Sequence, residues 1–394
     1  MLPLGLTAEA LAAAEAEADP GSLGAAQRLR ARFEPDLAAA ALSQVALRRR
    51  AIAKFGDAAA TMFFTRDGLE QATRPAVAAH HAARFAAAGV AGVVDLGCGI
   101  GADALAFVDA GLAVRAVELD PATAEVARAN LLARAPALVE DVRVADAERH
   151  SLDPDDPGSA YGWFADPARR DRTGRVWSLA DFSPSWEFVL RLLDGSRVAG
   201  VKLGPALPHA AIPPGVEAEW ITHRGSTVEA ALWAGGGALP GRRRATILDA
   251  PGGSATLVAD DAAAEPPTGP IGRYVYEPDG AVIRAGGIAQ LAAGLGATLV
   301  EPRIAYLSAD RLVDTPFARA YEVLEQLPHT TSALRRWLRD RGVGSLEIKQ
   351  RGIEEDPARL RRRLGLRGPA TATFLITRTP HGARVLVVRR VSAV

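Results

Sequence analysis

The spacing of apolar residues changes between the first 90 residues and the sequence that follows. From residue 7 to residue 90, apolar positions recur at helical spacing in Ala-, Leu-, Glu- and Arg-rich sequence, as in LAAAALSQVALRRRAIAKF. This pattern predicts a set of helices. From Val93 onward, short apolar runs alternate with amphipathic stretches. Strands that alternate with helices at this length predict a parallel sheet with right-handed crossovers.

The runs after Val93 divide the chain into predicted elements and domains. Five runs predict strands: GVVDLG, AVRAVELD, VRVADA, GWFADP and SRVAGVKLG. EAEWITHR and STVEAALWAG, separated by Gly225, predict an antiparallel hairpin at one edge of the sheet. Residues 251–272 are rich in Pro, Gly, Ala and Asp and predict a linker. The predicted domains are 1–80 (helical), 81–250 (α/β), 251–272 (linker) and 273–394 (a smaller α/β domain).

Size and composition exclude several classes of protein. The chain has 394 residues, which is more than one core holds, and no apolar stretch is long enough to cross a membrane. The first 21 residues lack a basic segment and are acidic, which argues against a secretory signal and favours a cytoplasmic location. Cys98 is the one cysteine, which excludes a disulfide within the chain and a zinc site of several thiolates. The histidines have no ligand spacing, so we expect no metal.

Three glycines follow the first predicted strand at alternate positions. Gly97, Gly99 and Gly101 allow a tight turn in which a ligand approaches the main chain closely. A dinucleotide site has the spacing G-x-G-x-x-G, whereas this sequence has G-x-G-x-G. Asp95 precedes the turn at the end of the strand, where its carboxylate would repel a phosphate and attract an ammonium group.

Two further acids end the next two predicted strands. Glu118 lies 19 residues after Gly99, at the spacing where an acid binds ribose hydroxyls, a feature that suits NAD equally. Asp146 is placed to accept a hydrogen bond from an adenine amino group. Together with Asp95 they favour S-adenosylmethionine, which has a ribose, an ammonium and a sulfonium but no phosphate. The alternatives are a helix N-cap for Asp146 and ordinary turns for the glycines.

The motifs DLGCGIG, VELD and ADA make this region resemble the class I S-adenosylmethionine-dependent methyltransferase family over about residues 55–237. The resemblance implies a Rossmann-like seven-stranded sheet. It also implies that the upstream segment FFTRDGLEQAT closes over the cofactor, although a plain helix N-terminus at Asp67 is an alternative. The implied cofactor-binding residues are Asp95, Gly97, Cys98, Gly99, Gly101, Glu118, Leu119, Asp146, Ala147, Thr65 and Gln71.

The fourth predicted strand ends in a candidate acceptor motif, Asp166-Pro167-Ala168-Arg169. It resembles the motif of nucleobase amine methyltransferases, in which an Asp or Asn holds the amine and an aromatic residue stacks on the base. Ala168 replaces the second proline of that motif, and Arg169 stands in place of the aromatic ring. The resemblance implies that Asp166 orients the acceptor.

The neighbouring residues leave two roles open and exclude one chemistry. Arg169 and Arg170 contact a phosphate or a stacked base, or else form surface ion pairs. Lys202, at the end of the fifth strand, faces the site or extends along the surface. Methylation of a uridine carbon needs a cysteine nucleophile, and Cys98 lies inside the glycine turn under the cofactor. A nitrogen or oxygen acceptor remains.

The charge of the chain is uneven although its net value is zero. Residues 331–394 contain 15 Lys and Arg against 5 Asp and Glu. Residues 273–390, with LEIKQRGIEEDPARLRRRLGL, resemble the THUMP-like domain that follows this methyltransferase type in a bacterial family thought to modify RNA. The resemblance implies that these side chains contact an RNA backbone: Lys349, Arg351, Arg361, Arg362 and Arg363. The alternative is solvated helix faces.

These features lead to one hypothesis and two alternatives. The hypothesis is an S-adenosylmethionine-dependent methyltransferase that methylates a nitrogen, or less readily an oxygen, of a nucleotide in RNA. The first alternative is a methyltransferase with a small-molecule or protein acceptor. The second is an RNA-binding regulatory module that senses S-adenosylmethionine. RNA is the expected partner, with no membrane and no metal.

Overall fold

The computed structural model describes residues 3–149, 160–169, 182–251 and 253–392. By its internal contacts the chain divides into two compact units. The first unit comprises Met1–Ala218 and Glu229–Gly241, and the second unit comprises Glu219–Val228 and Arg242–Val394. The short segment Glu219–Val228 therefore belongs to the second unit although it interrupts the first unit in sequence.

The first unit begins with five α-helices, which confirms the helical prediction. Thr7, Ser22 and Thr65 are N-caps whose side-chain oxygens accept hydrogen bonds from backbone N–H groups that the helices leave unpaired. The first four pack around a core that includes Phe63 and Phe64, whereas Ala82 and Phe85 of the fifth belong to a second core that it shares with the strands that follow. The five helices are α1 (Ala8–Glu15), α2 (Leu23–Arg30), α3 (Pro35–Phe55), α4 (Arg66–Gln71) and α5 (Pro75–Ala87). No helix within the described ranges has the length and apolar character needed to cross a membrane.

Strands and helices then alternate, as the sequence predicts. Asp120 is the N-cap of the helix that begins at Pro121. Gly101, which has a φ of 85°, precedes the helix that begins at Ala102. The elements are β1 (Gly92–Leu96), α6 (Ala102–Asp109), β2 (Ala113–Glu118), α7 (Pro121–Arg134), β3 (Val139–Val144), β4 (Tyr161–Ala165), β5 (Ala168–Arg169), β6 (Phe182–Ser183), α8 (Trp186–Leu192) and β7 (Ala199–Leu203). β5 and β6 form a separate antiparallel ribbon.

The predicted hairpin follows as β8 (Glu217–His223) and β9 (Ser226–Ala234). Its two turn residues, Arg224 and Gly225, have φ of 51° and 71°, the positive values that a two-residue hairpin turn requires. Next come β10 (Arg243–Ala250) and β11 (Gly253–Ala259), which pair antiparallel. The strand order of this sheet is β11-β10-β8-β9-β7-β4-β1-β2-β3. β3, β2, β1, β4 and β7 are parallel, and β9 is antiparallel to β7.

The predicted α/β fold is confirmed, with seven strands from β3 to β8, but two details differ from the sequence prediction. The hairpin does not lie at the edge of the sheet, because β10 and β11 continue beyond β8. β11 also lies inside the segment predicted as a linker. Its residues alternate between more and less exposed positions, as in a half-exposed strand, and the flanking Pro and Gly residues hide this pattern. The four predicted domain boundaries stay predictions.

The second unit contains a seven-stranded mixed sheet. Its order is β13-β14-β12-β15-β18-β17-β16, and β16 and β17 are the parallel pair. Leu334, Leu338, Leu360 and Leu364 anchor two helices to this sheet. The elements are β12 (Tyr274–Pro278), α9 (Gly280–Ala285), α10 (Ile288–Leu295), β13 (Thr298–Glu301), β14 (Ile304–Ala309), β15 (Ala318–Pro328), α11 (Thr331–Asp340), β16 (Val343–Arg351), α12 (Pro357–Leu364), β17 (Ala370–Thr379) and β18 (Gly382–Val391).

A buried histidine joins α5 to α6 and β9 in the first unit. His81 Nδ1 lies 2.8 Å from Asp103 Oδ1, and His81 Nε2 lies 2.6 Å from Glu229 Oε1. Thr73 donates a further hydrogen bond of 2.5 Å to Asp103. Burial alone would lower the pKa of His81, but the two carboxylates outweigh burial and raise it to about 10. His81 is therefore a cation that balances part of a buried acidic cluster.

We expect His81→Gln to lower the free energy of unfolding by about 3–5 kcal/mol, because it leaves two buried carboxylates without their cation. The pKa of His81 is raised from 6.5 to about 10. The stability that its protonation contributes is therefore present in full below pH 6.5 and is lost as the pH rises through 10. Urea denaturation at about pH 6 and about pH 9.5 measures both effects.

The matched control is His80→Gln, which changes the neighbouring, partly exposed histidine of the same helix. The wild type and this control should both lose stability between the two pH values, and His81→Gln should lose less. An equal loss in all three proteins would contradict the positive charge of His81.

Candidate functional site

The carboxyl ends of four neighbouring strands lie level in the first unit. The pairing register aligns these residues of β1, β2, β4 and β7: Leu96, Val117, Ala165 and Val201. The residues that follow them therefore reach the same edge of the sheet: Gly97, Glu118, Asp166 and Lys202. Open α/β sheets bind their ligands at this edge.

A cavity of about 730 Å³ opens at this edge. It brings together most of the residues that the sequence assigns to the cofactor and the acceptor: Thr65, Gln71, Asp95, Gly97, Cys98, Gly99, Glu118, Leu119, Asp146, Ala147, Asp166 and Pro167. Gly101 is not among the lining residues. It precedes α6 with a φ of 85°, a left-handed conformation that favours glycine, and a Cβ there would make an ordinary contact of 3.6 Å with Ala127 of α7. The side chains of Ala168, Arg169 and Arg170 lie outside the described part of the chain.

The glycine turn exposes its main chain to the cavity. Gly97 and Gly99 have φ of 86° and 57°, and a Cβ at either position would meet no atom within 4 Å. These glycines are therefore required for the backbone conformation. The turn is held from β2, because Glu118 Oε2 accepts a 2.9 Å hydrogen bond from the Gly99 N–H.

Asp95 presents an unsatisfied carboxylate beneath the turn. Its side chain is buried, and Oδ2 has no hydrogen-bond partner in the described part of the chain. Burial, followed by the nearby charges of Asp103 and Asp166, raises the pKa of Asp95 well above its ordinary value. A cationic hydrogen-bond donor in the cavity would supply both the missing partner and the missing charge.

The two other strand-end acids are partly engaged with the backbone. Glu118 Oε1 also accepts from the Asp120 N–H at 3.0 Å, and Asp146 Oδ1 accepts from the Glu148 N–H at 3.0 Å. Asp146 begins a turn that the Arg149 N–H closes on its carbonyl oxygen at 3.0 Å, and the predicted N-cap alternative depends on residues 150–159, which lie outside the described part of the chain. A carboxylate oxygen accepts more than one hydrogen bond. Both acids can therefore bind hydroxyl or amino groups in the cavity.

The upstream segment covers the glycine turn through α4. Thr65 is the N-cap of α4, and its Oγ1 accepts a 3.0 Å hydrogen bond from the Gly68 N–H. A helix does begin here, as the predicted alternative has it, and Thr65 also lines the cavity. A Cβ on Gly68 would lie 2.3 Å from Ile100 Cγ2, so α4 packs directly on the turn. Gly68 was missed by the sequence analysis.

Asn130 of α7 ties these two segments together. Its side-chain nitrogen donates to the carbonyls of Phe63 and Ile100, both at 3.0 Å, and its oxygen accepts from the Phe63 N–H at 2.7 Å. Asn130 is buried. One side chain therefore fixes the segment before α4 against the glycine turn, and no local sequence pattern indicates this role.

Asp166 and Lys202 form an ion pair in the cavity wall. Lys202 Nζ donates to Asp166 Oδ2. Burial alone would lower the pKa of Lys202, but Asp166, Asp103 and Glu229 raise it above its ordinary value. Lys202 is therefore a cation that faces the cavity, which decides between its two predicted roles. Ser183 and Pro184 also line the cavity.

Cys98 has the properties of an unreactive thiol. It is buried, and burial together with Asp95 and Glu118 raises its pKa well above the ordinary value. A thiol under these conditions is a poor nucleophile. This agrees with the exclusion of carbon methylation through Cys98.

The cavity wall is strongly acidic. Among the described residues, seven carboxylates line it, against one cationic side chain, Lys202. The acids are Asp67, Glu70, Asp95, Asp103, Glu118, Asp146 and Asp166. Such a wall suits a cation and opposes a pyrophosphate. The described ranges contain no group of three or more His, Cys, Asp or Glu side chains with the geometry to hold a metal ion.

Two family models match parts of the chain. Residues 318–390 match the model described as THUMP domain-like, and residues 7–51 match a domain of unknown function, DUF8688. The THUMP-like match lies within the predicted 273–394 domain. A crystal structure of a methyltransferase named as putative from Porphyromonas gingivalis W83 is similar over 98% of both chains, with a TM-score of 0.76 and 21% identity. This likeness supports the fold.

Two relatives from Mycobacterium tuberculosis, strains CDC 1551 and H37Rv, are named as uncharacterised S-adenosylmethionine-dependent methyltransferases. Each is 38% identical over 366 residues, which is 90% of this chain and 96% of the relative. The similarity thus extends over both compact units. The chain belongs to the S-adenosylmethionine-dependent methyltransferases.

Proposed function

We propose that this methyltransferase modifies a nitrogen of a nucleotide in RNA. The observation that carries the proposal is that one cavity holds both Asp95 of β1, a buried carboxylate with no hydrogen-bond partner among the described residues, and a second carboxylate, Asp166, at the end of the neighbouring strand β4. The first suits the methyl donor, and the second suits an acceptor that carries an N–H.

The donor-binding role follows from the chemistry of the wall. S-adenosylmethionine supplies an activated methyl group on a sulfonium. Asp95 would accept from its ammonium group, Glu118 from its ribose hydroxyls, and Asp146 from its adenine amino group. Gly97 and Gly99 leave room for the ligand beside the main chain. The absence of Cβ atoms at these positions and the orphaned oxygen of Asp95 both fit this ligand.

The acceptor role falls to Asp166. Its Oδ2 is paired with Lys202, and no described residue forms a hydrogen bond with its Oδ1, which is available for an N–H of the acceptor. Methyl transfer to nitrogen releases one proton, and a carboxylate within hydrogen-bond reach is a suitable base. Holding the acceptor nitrogen in line with the methyl group also removes much of the entropic barrier.

Exposed arginines on two helices of the second unit support RNA as the acceptor. α11 and α12 lie side by side, and the Arg335 side chain donates to the Arg363 carbonyl. Four exposed arginines of this region have no ion pair among the described residues: Arg336, Arg359, Arg362 and Arg367. Guanidinium groups that lack an acidic neighbour are suited to bind phosphates.

The predicted backbone-binding residues differ in this respect. Lys349 and Arg351 pair with Glu277 at 3.0 and 3.9 Å, and Arg363 pairs with Glu355 at 2.6 Å. Arg361 donates to a backbone carbonyl. Arg362 is the predicted residue that keeps an unpaired guanidinium within the described ranges, and we assign the RNA contact to it and its exposed neighbours.

We expect Asp95→Asn to weaken S-adenosylmethionine binding by about 1.5–3 kcal/mol, because a hydrogen bond to a charged group is lost. Burial and the nearby acids raise the pKa of Asp95, and a bound cation would lower it, so we expect donor binding to be coupled to proton release. Calorimetry in two buffers of different ionisation enthalpy measures affinity and proton release together.

Asp109→Asn is the control for this variant, because Asp109 is an exposed acid at the end of α6 that pairs with Arg134. The control should bind the donor like the wild type and release the same proton. Unchanged affinity in Asp95→Asn would refute the assignment of the donor site.

We expect Asp166→Asn to reduce methyl transfer to RNA on the order of 10²-fold or more, the contribution of a positioned general base. Donor binding should persist in this variant. The measurement uses S-adenosylmethionine with an isotope-labelled methyl group, bulk RNA, and mass spectrometry of the released nucleosides. Label that enters protein or small molecules while RNA stays unlabelled would contradict the proposed acceptor.

We expect the double variant Arg359→Gln/Arg362→Gln to weaken RNA binding and to lower the salt dependence of affinity by about 1 per arginine. The control is Arg30→Gln/Arg32→Gln, which removes the same charge from exposed positions in the first unit. Filter binding at several salt concentrations compares the two. If the affinities of the two double variants depended equally on salt concentration, the assignment of the RNA contact to Arg362 and its exposed neighbours would be wrong.

A further inference from the structure

The acceptor end of the cavity presents a hydrogen-bond donor and a hydrogen-bond acceptor side by side. Lys202 and Asp166 have side chains that are 14% and 36% exposed. An ammonium has three N–H groups, and among the described residues only Asp166 accepts a hydrogen bond from this one. Two N–H groups of Lys202 and one oxygen of Asp166 therefore remain for a bound molecule.

A packing role does not account for Lys202. Its neighbours on β7, Val201 and Leu203, are buried apolar residues, and a buried ammonium costs several kcal/mol unless it is well paired. Lys202 nevertheless keeps its charge because carboxylates surround it. The charged groups that act on it or respond to it are Asp166, Asp103, Glu229, Asp95 and Lys54.

We propose that this pair binds the –NH–C(=O)– edge of a keto nucleobase, and that the ring nitrogen of this edge is the methyl acceptor. Guanine and uracil carry such an edge. The proposal rests on the function proposed above. Asp166 Oδ1 accepts the ring N–H, and Lys202 donates to the adjacent carbonyl oxygen.

Asp166 and Lys202 account for the proton that leaves the ring nitrogen and for the negative charge that develops on the base. The N–H bond breaks and its proton moves to Asp166. The electron pair on nitrogen forms the new bond to the methyl carbon, while the carbon–sulfur bond breaks and its electrons stay on sulfur. As the base loses its proton, negative charge spreads onto the carbonyl oxygen. A positioned ammonium at that oxygen stabilises this charge.

The same pair is poorly suited to an amino base. The exocyclic amine of adenine or cytosine gains positive charge as it attacks the methyl carbon, and the charge spreads into the ring. A fixed ammonium beside the ring would raise that barrier by repulsion. Lys202 therefore acts as a specificity-determining residue that favours a keto base.

Three variants of the full chain test the proposal: Lys202→Met, Lys202→Arg and Lys54→Met. The measurements are donor affinity by calorimetry, kcat and KM for RNA across pH, and the identity of the labelled nucleoside. Lys202→Met should bind the donor like the wild type and lose kcat on the order of 10²-fold. Its kcat should recover as pH rises, because the base then ionises without help. Lys202→Arg should restore most of the wild-type kcat.

The Lys54→Met variant tests whether the ionisation of Lys54, and not that of the acceptor base, shapes the pH profile of kcat. Burial, followed by the charges of Lys202 and Arg74, lowers the pKa of Lys54 to about 8. Its side chain contacts the backbone at the end of α4 and is not among the residues that line the cavity. The pH profile of this variant should follow the wild type, which would assign the altered profile of Lys202→Met to the acceptor.

The labelled nucleoside should be methylated on a ring nitrogen of guanine or uracil. A label on the exocyclic amine of adenine or cytosine, or a kcat of Lys202→Met within about threefold of the wild type, would overturn the inference and leave the RNA methyltransferase standing. Loss of donor binding in both Lys202 variants would overturn it as well, since the lysine would then be structural. A wild type that binds the donor but labels no RNA would overturn the proposed function and this inference with it.

Discussion

The concentration of buried carboxylates at one edge of a parallel sheet is the constraint on which the first unit depends. Asp103 and Glu229 are balanced by His81, and Asp166 is balanced by Lys202. Oδ2 of Asp95 has no hydrogen-bond partner among the described residues. A buried carboxyl group without a partner is unfavourable, and under the proposed function the cationic methyl donor supplies that partner. The fold thereby supplies a binding site with a preference for positive charge.

The sequence reveals the parts of this site that are local in the chain. A glycine turn directly after a strand, and acids at the ends of successive strands, can be placed at one sheet edge because parallel strands bring their carboxyl ends together. Asp95, Glu118 and Asp146 were found in this way, and they line one cavity. Gly101 follows the same local pattern, yet it faces α7 because the turn has already ended there.

The parts that were missed depend on contacts between distant segments. Glu229 lies 148 residues from His81, and Asn130 lies 67 residues from Phe63. Neither of these separations in sequence produces a repeating pattern of residues. The partners can therefore be identified only when the order of the strands is known. The same holds for β11. Its residues form a strand because they pair with β10, whereas the Pro and Gly residues around them indicate a linker. The count of basic residues in a segment is limited in the same way. Lys349 and Arg351 add to that count, but in the fold both form ion pairs with Glu277, which offsets part of their positive charge.

The acidic wall also bears on turnover. Under the proposed function, the bound donor carries a sulfonium charge that disappears when the methyl group is transferred. Carboxylates that attract a cation hold a neutral thioether less strongly, so the Coulomb attraction that helps the donor bind is weaker for the product. The Asp166–Lys202 pair is neutral as a whole and does not compete for the sulfonium charge. Under the two proposals, the acids of the wall favour the cationic donor, and the Asp166–Lys202 pair selects the acceptor by its pattern of hydrogen-bond donor and acceptor groups.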